Sequence, residues 1–207
     1  MNDFDDNFKT RLWDTIATIE ADSGIEIVVI IKPCSEDYTD IALLGSGIVM
    51  LLALTFFFFA PPVFGDYLVF TATLAAYLLS FFIIAYIPGV KRILTPKSRR
   101  RRSVEIMARA LFQKGQLHQT RAGVGTLIYC SLLEQEVFIL PDRGAADAVP
   151  PEIWTQLQQD FARMFAARKP AEGLLSALQA SGTVFARYLP TDEDDINEIP
   201  DDLEVAL

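Results

Sequence analysis

Histidine and cysteine are nearly absent from this chain: one His and two Cys, Cys34 and Cys130, in 207 residues. One histidine excludes a His-rich metal site, and two distant cysteines exclude a disulfide framework or a zinc knot. Cys130 sits in an apolar run and reads as a small core residue. Residues 1–20 also lack the basic-then-apolar order of a cleavable signal, carrying Asp3, Asp5 and Asp6 instead, so no secretion signal is expected. Whole stretches lack charge of one sign. Residues 88–102 hold seven bases and no acid, and residues 192–204 hold eight acids and no base. Residues 1–40 carry ten acids against three bases, and 103–191 balance at eight of each. The net charge of −9 is therefore segregated along the chain, and it does not describe a generally acidic surface.

Mean hydropathy is +0.28, high for a water-soluble domain. The excess lies between Ile41 and Ile87. Ile41–Ala60 is twenty residues without a charge and Tyr67–Ile87 is twenty-one. Each matches the roughly 30 Å hydrocarbon core when helical. Only Pro61–Asp66 separates them, so they predict a tight transmembrane hairpin. That connection has no Lys or Arg, whereas Lys91, Arg92, Lys97 and Arg99–Arg102 follow the second span. The positive-inside rule places both termini and the soluble domain in the cytoplasm, anchored to the inner membrane. Beside a membrane, Arg99, Arg100, Arg101 and Arg102 point to anionic lipid headgroups, and nucleic acid is not expected as a partner.

Around the hairpin the chain reads as α/β. Residues 3–22 place Phe8, Leu12, Ile16 and Ile19 on one helical face. Ser23-Gly24 ends that helix, with Gly24 expected in a left-handed cap. The run Ile25–Ile31, IEIVVII, is a buried strand closed by Lys32-Pro33. A second helix is expected from Ser103 to Gly115, with Val104, Met107 and Leu111 on one side. Gly125–Ser131 and Gln135–Leu140 form a hairpin of strands linked by Leu132–Glu134 and left through the polar loop Pro141-Asp142-Arg143-Gly144. Pro150-Pro151 opens a helix with Trp154, Leu157, Phe161, Met164 and Phe165 on one face. A last helix from about Ala171 to Leu189 carries Leu174, Leu175, Leu178 and Phe185 inward, with Gly182 permitting close helix approach. An acidic tail follows Pro190-Thr191. His118 falls in a polar connection and reads as solvated.

In order, IxxIExxSGIEIVVII (Ile16–Ile31), LFQKGQLHQTRAGVGTLIYCSLLEQEVFILPDRG (Leu111–Gly144), VPPEIW (Val149–Trp154), GLLSAL (Gly173–Leu178) and YLPTDEDDINEIPDD (Tyr188–Asp202) resemble the TPM domain family. That family includes thylakoid-lumen proteins of photosystem repair and bacterial envelope proteins. The resemblance implies an α/β/α sandwich with a small mixed sheet, here interrupted by the two-helix transmembrane hairpin. Residues 1–40 and 103–191 would form one TPM domain, with the hairpin at 41–87, a basic juxtamembrane segment at 88–102 and the acidic tail at 192–207. The resemblance also implies binding of other membrane proteins, the LemA family among them, in assembly or maintenance of envelope proteins. It further implies a divalent cation, Ca2+ or Mg2+, held by Glu26, Asp142, Asp194, Asp195, Asn197 and Glu198. Carboxylates and an amide carbonyl are hard oxygen ligands suited to such ions. Pro150-Pro151 replaces acids common in relatives, which removes ligands. The alternative activity is a divalent-cation-dependent phosphatase using the same acids. No nucleophile–base pair is visible in the sequence, so catalysis is the lesser expectation.

Overall fold

The β-branched run after the first helix becomes a strand covered on both faces, and the rest of the α/β domain is arranged about it. The computed structural model describes residues 4–115 and 123–190, and the backbone of 205–206. Helix α1 spans Asp6–Asp22, with the Asp5 carboxylate accepting from Phe8 N–H at 2.8 Å as its N-cap. Strand β1 spans Glu26–Lys32, and β2 (Gly125–Ser131) runs parallel to it from Glu26↔Gly125 to Lys32↔Ser131. Strand β3 (Glu136–Pro141) returns antiparallel to β2, and β4, only Val205–Ala206, pairs parallel on the far side of β1. The order is β3-β2-β1-β4, a small mixed sheet. Pro141 closes an edge strand, where its missing N–H costs no ladder bond.

Strand alternation divides the core in two. Ile27, Val29 and Ile31, with Ile128 and Cys130 of β2, face a cluster that includes Phe8, Leu12, Ile16 and Ile19 of α1. Helices α6 (Arg143–Ala148), α7 (Pro151–Ala162) and α8 (Pro170–Tyr188) complete that layer, with a 3-10 turn at Arg163–Ala166 between the last two. Val28, Ile30, Leu127 and Tyr129 face the opposite way, against Val104, Ala108 and Phe112 of α5 (Lys97–Lys114). Helices therefore cover both faces, and the α/β/α sandwich follows from strands that have no polar side. Gly182 lets α8 close on α1: a Cβ there would lie 3.0 Å from Cγ1 of Ile19.

The chain divides into two compact units, Met1–Ser35 with Arg101–Leu207, and Glu36–Arg100. In the second, α2 (Thr39–Phe59) and α3 (Asp66–Tyr86) form a hairpin. Both helices are long and apolar enough to cross a membrane, with mean hydropathy 2.4 and 2.2. Small residues bring them together, as they do where lipid supplies no hydrophobic drive. A Cβ on Gly45 would meet Cδ1 of Ile84 at 2.7 Å, and Ala42, Ser46 and Thr73 are buried. A short helix, α4 (Pro88–Leu94), follows.

Four expectations change. Gly24 is not left-handed; its N–H donates to Leu189 O at 2.8 Å, tying the end of α1 to the end of α8. The left-handed residues are Gly123 (φ 64°) and Gln135 (φ 51°) among the described residues. Helix α5 starts at Lys97, six residues before Ser103, because Pro96 precedes it and arginine is a good helix former. The segment Asp142-Arg143-Gly144 is not a loop: Asp142 caps α6, accepting from Arg143 N–H at 2.8 Å. The helix with Trp154 ends at Ala162, and Met164 and Phe165 fall in the 3-10 turn.

Candidate functional site

The two ends of the sheet differ in chemistry. At the amino ends of β1 and β2, Glu26 and Asp142 flank Gly125: Glu26 pairs with it in the ladder, and Asp142 N–H donates to Gly125 O at 2.7 Å. The two acids are thus two strand spacings apart, about 10 Å between backbones. Glu26 is 8% exposed and falls on the α5 face with Val28 and Ile30, while Asp142 is half-buried. Gly123 completes the corner. Its carbonyl accepts from Ala145 N–H at 3.1 Å, and a Cβ on it would sit 3.2 Å from Gly144 N and 3.4 Å from Oδ2 of Asp142. Glycine suits that position, because a side chain there would be both crowded and strained by the positive φ.

Arg109 pairs with Glu105 at 2.9 Å, and Arg143 lies 3.8 Å from Asp147. No group of three or more His, Cys, Asp or Glu that could hold a metal ion occurs among the described residues. Asp194, Asp195, Asn197 and Glu198, like His118 and Arg121, lie outside the described residues.

The carboxyl ends of the parallel strands, where α/β folds more often place ligands, hold a group that sequence reasoning missed. Glu134 is fully buried. Its Oε1 accepts from Ser35 N–H at 2.9 Å, and Oε2 accepts a short hydrogen bond from Ser131 Oγ. Ser35 Oγ lies 2.9 Å from the Tyr129 hydroxyl. Leu132 N–H and Leu133 N–H donate to Lys32 O and Pro33 O, so the segment leaving β1 is stitched to the β2–β3 turn. The left-handed Gln135 turns the chain immediately after the carboxylate. A buried network whose members satisfy one another rigidifies its surroundings. Burial raises the Tyr129 phenol above its ordinary 10.0, against its hydrogen bonds with Ser35 and Ser131.

Cys130, beside it in β2, is pushed by burial from 9.0 up to about 12. Tyr129 and Cys130 both hold their protons more tightly in the folded chain than in the unfolded one. Their stabilisation is therefore complete below about pH 9 and is lost as pH rises from there through the folded values. Thermal melts between pH 8 and 11 should show a falling midpoint, and Cys130→Ala should flatten the early part of that fall. A midpoint constant to pH 11 would contradict this.

The basic run is divided. Arg99 sits between two acids, with Nη1 2.5 Å from Oδ2 of Asp40 and Nη2 2.6 Å from Oε1 of Glu36, and its guanidinium lies 5.3 Å from the Tyr38 ring centroid. Those bonds raise its pKa further. Arg99 thus fastens the segment before α2 to the start of α5 within the hairpin unit. Arg100 is half-buried, and Arg101 and Arg102 are exposed. Lipid contact would fall to the last two.

Between α1 and α8 runs an open cleft of about 380 Å3, with Asp14, Thr18 and Asp22 facing Gln179 and Thr183. Near the N-termini of the same helices, Arg11 holds Glu172 with two hydrogen bonds of 2.7 and 2.9 Å beside a smaller cleft.

A family model described as TPM domain matches residues 91–184. No curated protein matches the chain. The NMR structure of the BA42 protein from the psychrophilic bacterium Bizionia argentinensis is similar, with a TM-score of 0.60 and 17% identity. The alignment covers 98% of this chain and 94% of that one. At that identity the likeness is one of fold.

Proposed function

With a TPM domain at residues 91–184 as the premise, we propose that this chain is a membrane-anchored cytoplasmic module that binds other membrane proteins in their assembly or maintenance. The observation that carries the anchor is the α2–α3 hairpin. Leu44, Leu52, Phe70 and Leu79 are each more than 60% exposed on helices of 21 residues. A soluble domain does not leave so large an apolar surface to water. Arg101 and Arg102 are exposed and follow the hairpin closely in sequence, which suits contact with anionic headgroups. A LemA-family protein is the partner that the family resemblance suggests.

Membranes washed at alkaline pH test the anchor: the protein should remain with the lipid pellet, and release into the supernatant would refute it. A reporter fused after Leu207 should be active on the cytoplasmic side only. Cross-linking in native membranes should recover a second membrane protein, and repeated recovery of the chain alone would refute binding.

A second reading draws on the flanking of Gly125 by Glu26 and Asp142. It holds that this corner, with acids from the tail, takes a Ca2+ or Mg2+ ion, either as a structural ion or for phosphate-ester hydrolysis. Calcium titration followed residue by residue should shift Gly123–Gly125 and Asp142–Ala145, and Asp142→Asn should weaken binding about tenfold or more. Unchanged spectra at millimolar calcium would end this reading. Metal-stimulated phosphatase turnover surviving Asp142→Asn would place any hydrolysis elsewhere.

A further inference from the structure

At the turn of the hairpin, α2 and α3 part around an open cleft of about 450 Å3. Its walls are aromatic: Phe57 and Phe58 from α2, Phe64 from the connection and Phe70 from α3. Phe64 folds back edge-on against Phe57, with ring centroids 5.1 Å apart at 85°, so the connection itself closes one side. Asp66, the first residue of α3, is the one charged group in the lining. Neither Lys nor Arg occurs between Ile41 and Ile87, so no base of the hairpin can neutralise it.

Aromatic faces carry negative potential and attract cations, more strongly when desolvated. A carboxylate at the rim adds to that attraction and repels anions. A 21-residue helix is about 31 Å long, enough to span the hydrocarbon core, so a carboxylate on its first residue stands at headgroup depth. We propose that this cleft binds a phospholipid through its ammonium headgroup, held by Asp66 among the phenylalanine rings. Leu54 and the Phe70 side chain receive the start of an acyl chain. This rests on the hairpin spanning a bilayer. It assigns the far end of the hairpin a lipid of different charge from the one that the arginines face.

The test uses the full chain in nanodiscs of equal phosphatidylethanolamine and phosphatidylglycerol, with retained lipid read by native mass spectrometry after mild detergent release. The retained phosphatidylethanolamine-to-phosphatidylglycerol ratio should be about five to one against one to one in bulk, and Asp66→Asn should return the ratio to bulk. A bulk ratio in the unmodified chain, or enrichment unchanged by Asp66→Asn, would overturn the proposal. So would a Phe58→Cys variant that cross-links to a second copy across the cleft. Alkaline washing separates the two failures. A chain that stays in the membrane without enrichment fails only here, and a chain that washes off fails the anchor as well.

Discussion

Replacing Glu134 with alanine should destabilise the α/β domain by about 3 kcal/mol, a large part of the stability of a domain this size. The carboxylate is fully buried and accepts from Ser35 N–H and Ser131 Oγ. Its removal leaves a backbone donor and a hydroxyl without their acceptor, away from water, and each such orphan costs about 1–3 kcal/mol. Glu134→Gln keeps one carbonyl acceptor and should lose roughly half as much. Denaturant unfolding of the full chain in detergent, followed by thiol labelling, measures this directly. Cys34 is exposed and labels in the folded state, whereas Cys130 is buried and labels only on opening. If Cys130 labels at the same denaturant concentration in Glu134→Ala as in the unmodified chain, the network has no structural role.

Phe161→Ala should have a comparable or larger effect, about 3–5 kcal/mol. Phe161 is fully buried in the cluster where α1, α7 and α8 meet the sheet, in company with Leu157, Met164 and Leu174. Truncation leaves a cavity that these helices cannot all collapse to fill. Phe165, four residues on, sits on the 3-10 turn and is only partly buried, so Phe165→Ala should cost much less. Equal losses at the two positions would mean that the helical face continues through Phe165, contrary to the observed break at Ala162.

Local pattern made most of the fold legible. The run IEIVVII and the pair of strands around Cys130 have no polar face, and that alone calls for helices on both sides. The apolar stripes of α1, α7 and α8, and the two charge-free spans, were equally readable. What the pattern concealed depends on residues distant in sequence. Glu134 ends the short link Leu132–Glu134, where nothing local marks it; only its partner Ser35, 99 positions earlier, makes it a buried acceptor. The apolar positions Val104, Met107 and Leu111 point to a helix beginning at Ser103, because the arginines before it carry no apolar periodicity. The backbone treats those arginines as ordinary helix formers, and one of them is committed to Glu36 and Asp40. Glu26 and Asp142 were proposed to meet, and both do reach the same end of the sheet. The tail acids assigned to the same ion lie outside the described residues.

The parallel pairing of β1 with β2 also sets a schedule for synthesis. Glu26 faces Gly125, 99 residues further along the chain, so the first strand leaves the ribosome about 5–20 s before its neighbour exists. During that wait IEIVVII is a short, uncharged-but-for-Glu26, β-prone segment with both edges open, the kind of sequence that nucleates aggregation. In the proposed topology the two intervening spans are inserted during that interval, and they return the chain to the compartment where β1 is waiting. Membrane insertion then becomes a step in sheet assembly, since a failed hairpin would strand β2 on the wrong side of the bilayer from the strand it must pair with.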